Sequence, residues 1–380
     1  MTVPTDTTPG AHARRSGRTR SASRGNRSGT GPPVYREHRY LTWVVLFAVI
    51  AVAAPNLVTG QADQLSLNVW LAYGIAGVGF YWVFGLAGRF AFCQTFMMAM
   101  GGYMSAWITL RLGPNWFLVG VLGAMAVTGA IAAVIGLILS RAQDFYFAIG
   151  TLAVSEVGTV ILTHTTSFSG ADGSTVGIAA PEIFGYAFNS YLQMFWLSLA
   201  VLAVVVLFAI LLERSPVRRH AIAGRENATV ARSGGVPVVK VQVMLFAFGS
   251  MLGGVSGALL GSINSTVDVN SFGTSLAIGI FLMLFIGGIG SVWGPIVGAA
   301  FYVAIPQVLS SLAQYQNIVY GALLLAVIIA FPEGLVGALR ILAARLTHRR
   351  PPVEPGATLV ERLSSVLPTG KRKENDATAG

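Results

Sequence analysis

Charge is what this sequence has least of. Asp, Glu, Lys and Arg make up only 11% of its 380 residues, against roughly a quarter in a soluble globular protein. So few charges could not cover a core built from the 54% of residues that are apolar, which excludes a soluble enzyme. The same apolar content excludes a disordered or collagen-like chain. A single cysteine, Cys93, rules out an intrachain disulfide and a thiolate metal cluster. The five histidines are scattered without the paired spacing a metal site needs, so no metal is expected. A Walker A loop is also missing. Gly370-Lys371 is followed by Arg372 in a charged tail with no strand–loop–helix context. No catalytic constellation is present, and any ATP hydrolysis must come from another chain.

What the sequence has in excess is glycine. Its 45 glycines are about 12% of the chain, against a usual ~7%, and the mean hydropathy is +0.68. These values point to an all-α, multi-span integral membrane protein of the cell membrane, with membrane lipids as its solvent. Apolar runs long enough to cross ~30 Å of hydrocarbon as helices fall near residues 41–59, 65–84, 90–110, 117–140, 145–163, 193–213, 241–262, 274–291, 294–313 and 317–337. Gly287-Gly288-Ile289-Gly290 and Gly294-Pro295 interrupt the eighth and ninth. These two are therefore expected to be broken or re-entrant, and the total is eight to ten spans. Three regions follow: a disordered basic tail at 1–40, a membrane domain at 41–340 with a polar segment at 214–240, and a second tail at 341–380. Ala51-Val52-Ala53 before Pro55 imitates a cleavage site, but the basic lead is too long for a signal peptide.

The charges also orient the chain. With both termini placed in the cytoplasm, 24 of the 25 Lys and Arg residues fall on that side, and only Arg111 falls outside. A basic balance can signal nucleic-acid binding, but here the basic residues border apolar spans, so no nucleic-acid partner is expected. Trp43, Trp116, Trp196 and Trp293 lie near span ends, as interfacial belts do.

Several residues stand out inside this frame. Glu156 lies within the fifth span, where a carboxylate is a functional-site candidate by default; the alternative is a structural anchor bonded to a neighbouring helix. Arg89 and Asp144 sit at inner span ends, suited to an interhelical ion pair or to snorkelling. Gln94, Tyr103 and Thr151 either line an aqueous path or bond neighbouring helices. Gly249, Gly253, Gly257 and Gly261 recur every four residues, and Gly290, Gly294 and Gly298 do the same later. Such ridges let helix backbones approach, either as fixed packing or as a sliding seam. In the polar segment, Ala221 to Ser233 reads as one short helix closed by Gly234-Gly235 and Pro237. Its polar face carries Arg225, Glu226 and Asn227, with Arg232 beyond, and suits either a solvated loop helix or the docking of a partner.

Over residues 65–340 the chain resembles the permease subunits of branched-chain amino-acid ABC importers, and more closely the longer of the two paired permeases. The resemblance rests on GRFAFCQTFMMAMGGY at 88–103, YFAIGTLAVSE at 146–156, GRENATVARSGGV at 224–236, SFG at 271–273, GGIGSVWGPIVGA at 287–299 and YGALLLAVIIAFPEGL at 320–335. It implies a second permease, two ATP-binding subunits that hold ATP and Mg, and an extracytoplasmic solute-binding protein. It also implies that 221–234 is the coupling helix that docks on an ATPase. The chain would then supply half of an alternating-access pathway for a branched-chain or other small amino acid. In the family the first motif reads more like GQLSLGHAAFFGIGAY, with Gln at the place of Arg89 and Gly-His at the place of Cys93-Gln94. The loop SFSGADGSTVGI at 167–178 keeps only part of the usual glycine-rich pattern. These departures leave urea or short amides open as solutes. The rival to the whole reading is a self-sufficient secondary transporter using Glu156 as an ion or proton site. Such proteins carry paired broken helices, and no partner to the 287–295 interruption is visible in the first half.

Overall fold

The computed structural model describes residues 60–183 and 185–308, with Gly321. The tails at 1–40 and 341–380, the spans expected at 41–59 and 317–337, and the end of that at 294–313 lie outside the described residues. Ten helices longer than four residues follow in chain order among the described residues. They are α1 (Gln61–Phe80), α2 (Gln94–Leu112), α3 (Phe117–Ile138), α4 (Asp144–His164), α5 (Tyr191–Arg214), α6 (Pro216–Glu226), α7 (Ala228–Ser233), α8 (Val238–Asn264), α9 (Thr274–Gly287) and α10 (Trp293–Val308). Among the described residues, six segments are long and apolar enough to cross a membrane: 61–86, 114–141, 145–164, 191–214, 238–264 and 269–287. The chain is a polytopic, all-helical membrane protein, and these helices coincide with the apolar runs to within a few residues.

Local chemistry explains the helix ends. Asp63 in the first turn of α1 suits the positive end of the helix dipole. Pro114 opens the short turn that leads into α3. A capping box starts α5: the Ser190 hydroxyl accepts from Leu192 N (3.4 Å), and Gln193 Oε1 accepts from Ser190 N (3.2 Å). Ser215, in extended backbone, ends α5, and Pro216 then begins α6. The single helix expected over 221–233 is instead two. Asn227 breaks it in extended conformation (φ −155°), and its Oδ1 accepts from both Thr229 N and Val230 N at 3.1 Å, capping α7.

At the end of the molecule away from the arginine-rich segment, short strands tie the loops together. β1 (Ser174–Val176) pairs antiparallel with β4 (Thr266–Asp268), and β2 (Glu182–Ile183) with β3 (Tyr186–Ala187). Helix periodicity in the spans carries no signal for these pairings.

The core is α8, packed against α1, α2 and α3. A Cβ built on Gly249 would lie 2.7 Å from Val83 Cγ2, and one on Gly253 2.9 Å from Gln94 Nε2. At Gly257 it would overlap the Met98 carbonyl, and at Gly261 it would lie 2.6 Å from Val267 Cγ2. Each glycine of this ridge therefore meets another segment at backbone distance. A hydrogen bond crosses the α1–α8 seam, from the Ser256 hydroxyl to Ala72 O (2.7 Å), and another joins α1 to α10, from Trp70 Nε1 to Ile296 O (2.8 Å).

Helices α9 and α10 form an antiparallel hairpin. Gly287 abuts Gly294, Gly298 abuts the Met283 carbonyl, and a Cβ on Gly279 would reach the Tyr302 ring at 2.6 Å. The chain reverses at Gly288, whose φ of 107° only glycine adopts readily. The expected span 274–291 thus ends at 287. Gly290 differs from its two companions, because a Cβ there would meet nothing within 4 Å. Trp293 also departs from the interfacial role expected of it: it is buried, while Trp116 and Trp196 are exposed.

Candidate functional site

Helix α4 is anchored along one stripe only. Phe147, Thr151, Ser155, Gly158 and Leu162, spaced three or four apart, are buried. Thr151 Oγ1 accepts from Phe92 N at 3.1 Å and donates to Ala148 O at 2.9 Å. Gly158 is in contact with the Phe96 ring. The rest of the helix is open, including Ile149, Leu152, Val157 and Ile161. On that open side stands Glu156, whose Oε1 accepts a hydrogen bond from the Thr274 hydroxyl at 3.2 Å. Thr274 begins α9, and beyond its first turn, where Ser275 is also exposed, the accessible residues of α9 continue at helical spacing: Ile278, Phe281 and Phe285. The result is an open apolar face with a carboxylate–hydroxyl pair near the Thr274 end of α9.

At the other end of this face, aromatic rings cluster. Phe84 sits 4.5 Å from Phe90 and 5.6 Å from Phe285, and stacks with Phe80 at 6.0 Å. Phe281 lies 4.5 Å from Phe80 and 4.9 Å from Phe92. Phe84 belongs to a π-turn, Tyr81–Leu86, that extends α1. Such turns insert an extra residue into a helix and often mark functional places.

The remaining candidates fall elsewhere. Gln94 is buried where α1, α2 and α8 cross, and its Nε2 donates to Gly249 O (3.1 Å) and Ala76 O (3.4 Å). Its Oε1 is buried without a donor, at a cost of about 1–3 kcal/mol. Tyr103 is fully buried and donates to the Gly173 carbonyl, holding the loop that leads into β1. Arg89 Nη1 donates to Ala142 O (2.8 Å) and Nη2 to Gln242 Oε1 (3.0 Å), with the guanidinium 5.1 Å from the Phe147 ring centre. It thus joins the start of α2, the α3–α4 link and α8. Of the five residues considered for a path, Glu156 alone lies on the open face; the other four join elements within this chain.

The polar segment is likewise divided. Glu226, Asn227 and Arg232 are exposed on the α6–α7 pair, beside exposed Val230. Arg225 is exposed as well, but its guanidinium reaches across to α1, and its Nη1 donates to Gly85 O at 2.6 Å. Gly85 lies in the π-turn, so Arg225 satisfies a carbonyl at the C-terminal end of α1, where the helix dipole favours a cation. Tyr81, in the same turn, donates to Glu213 Oε1 on α5 at 2.7 Å. Neither the π-turn nor the contact from Arg225 is visible as a pattern in the sequence. The glycines Gly85 and Gly88 were the only signal.

Comparison with known proteins places this geometry. A family model described as "Branched-chain amino acid transport system / permease component" matches residues 65–331. The chain is 25% identical over 324 residues to the high-affinity branched-chain amino acid transport system permease protein LivM of Escherichia coli (strain K12), covering 77% of this chain and 74% of that one. It is 24% identical over 313 residues to the L-arabinose ABC transporter permease protein AraH of Azospirillum brasilense, covering 80% and 89%. It is 25% identical over 286 residues to LivH, a permease protein of the same-named Escherichia coli system, covering 70% and 91%. No solved structure matches significantly. With a family match over most of its length and the multi-pass helical fold described above, the chain belongs to the family of branched-chain amino acid transport system permease components.

Proposed function

We propose that this chain is one of two permeases in an ATP-driven importer and forms half of an alternating-access path for a branched-chain or other small apolar amino acid. Its partners are a second permease, two ATP-binding subunits that carry ATP and Mg, and an extracytoplasmic solute-binding protein. The arginine-rich end lies in the cytoplasm. There the exposed surface of α6–α7, with Glu226, Asn227 and Arg232, meets an ATP-binding subunit. The second permease covers the open face of α4 and α9.

The observation that carries the substrate reading is the composition of that face. Among the residues described as exposed there, Glu156 is the acidic side chain, held by Thr274 at 3.2 Å, with Leu152 one turn along α4 and Ile278 one turn along α9. An intramembrane carboxylate suits an ammonium group, and the apolar residues one turn away suit an aliphatic side chain. A sugar, as carried by the arabinose relatives, requires many paired hydroxyl contacts, and this face supplies few.

The test is uptake by the whole complex in proteoliposomes with ATP, offering leucine, arabinose and urea in turn. Leucine is expected to be the transported solute. Glu156→Gln is expected to reduce leucine uptake about tenfold, the scale of one charge-assisted hydrogen bond, while folding and complex recovery are unchanged. Undiminished leucine uptake by that variant would remove Glu156 from the path. Uptake driven by a proton gradient without ATP would support the secondary-transporter alternative instead.

A further inference from the structure

The bond from Arg225 to Gly85 ties the polar segment to α1 within this chain, apart from any docking of a partner. Three elements converge on the π-turn of α1. From α6, Arg225 grips Gly85 O at 2.6 Å. From α5, Glu213 receives the Tyr81 hydroxyl at 2.7 Å. From the α9–α10 reversal, the Ile289 carbonyl approaches so closely that a Cβ on Gly85 would lie 3.2 Å from it. The adjacent residue, Phe84, is the hub of the aromatic cluster and touches Phe80, Phe90, Phe281 and Phe285. Phe90 and Phe281 lie parallel at 6.1 Å. A movement of α6 therefore reaches Gly85 through one charge-assisted bond and reaches Phe84 through one peptide unit. Gly88 makes room for this link. It holds φ +72°, and a Cβ there would lie 2.7 Å from Arg225 Cγ.

We propose that Arg225 is a positioning residue for transport: through Gly85 it holds the π-turn so that the rings around Phe84 close the inner end of the α9 face, and displacement of α6 opens them. The proposal rests on the importer reading above. The π-turn is suited to the task, because it ends α1 in a wider, less regular turn of the kind that recurs at functional places. An aromatic cluster closes such a path by excluding water from the gap between rings.

The test uses the complete complex in proteoliposomes, recording ATP hydrolysis, solute uptake and subunit recovery together. Arg225→Ala is expected to retain all subunits and hydrolysis while solute moved per ATP falls about tenfold. Arg225→Lys, which keeps a cation but not the guanidinium fork, is expected to restore part of it. In a Cys93→Ser background, the pair Phe90→Cys and Phe281→Cys, bridged by a short reducible bis-thiosulfonate, is expected to stop uptake until the bridge is reduced. Wild-type solute per ATP in Arg225→Ala would overturn the proposal, as would loss of the ATP-binding subunits from that variant, which would make Arg225 a docking contact. If Arg225→Ala does not accumulate, Gly88→Ala carries the test by crowding the Arg225 stem, and unchanged coupling in that variant would overturn the proposal. A parental chain that recovers no ATP-binding subunit refutes the importer reading itself and the proposal with it, a result visible before any variant is made.

Discussion

Helices α8 and α4 are both apolar along their length, yet the structure treats them oppositely. The most apolar stretch of α8 is 72% buried and that of α4 only 33%. Hydrophobicity does not separate them, because lipid tails are as apolar as leucine. What separates them is residue size. Along α8, Gly249, Gly253, Gly254, Gly257 and Gly261 let three neighbouring helices approach to backbone contact. Along α4 there are only Gly150 and Gly158, and Gly158 serves the single stripe by which that helix is attached. Inside a membrane, small residues choose the core, and larger apolar residues are left for lipid or for a partner.

The hardest blow to this contrast is Gly257→Val. Its added atoms would drive into the Met98 carbonyl on α2. The loss should exceed the about 1–3 kcal/mol of ordinary overpacking, so the protein is expected not to accumulate in membranes. Gly290→Val, in open space, should leave the level unchanged. Next comes a matched truncation. Leu245→Ala, at a fully buried α8 position, should cost about 2–5 kcal/mol. Ile161→Ala, 58% exposed on α4, should stay within about 0.5 kcal/mol. Equal melting shifts in detergent would show that α4 has no free face in the isolated chain. A loss smaller than that at Leu245 is expected on α4's own attached stripe. Thr151→Val removes the acceptor of Phe92 N and should cost about 1–3 kcal/mol, seen as earlier proteolysis of the α4 segment.

Much of this was readable in advance, for a physical reason in each case. Apolar runs must be helical in lipid, because backbone groups there have no water to bond, so the spans over the described residues were found closely. The glycines of α8 were readable as a ridge because their spacing of four is itself the geometry of contact. Reading failed where a feature depends on what approaches from elsewhere. Gly290 continued the spacing of Gly294 and Gly298 but falls in the reversal rather than in the hairpin. Trp293 stood at a span end but is enclosed. The segment 221–233 had helical composition throughout, yet the Asn227 side chain competes for the amides of the next turn and divides it.

The candidate site divides along the same line. Glu156 could be picked out because a carboxylate in an apolar span is costly wherever it points. Gln94, Tyr103 and Thr151 have side chains equally able to line a path or to join helices, and no periodicity distinguished the two, because both faces of these spans are apolar. Composition and charge by themselves determined that this chain crosses a membrane repeatedly, where its helices run and that it carries no ATPase motif, since each follows from the cost of exposing or burying single residues. The tertiary structure alone decided which side of α4 stays open, that α1 ends in a π-turn and that Arg225 reaches Gly85. These depend on contacts between residues far apart in the chain, 140 positions for Arg225 and Gly85, and where lipid and protein interior are equally apolar, local sequence carries no record of them.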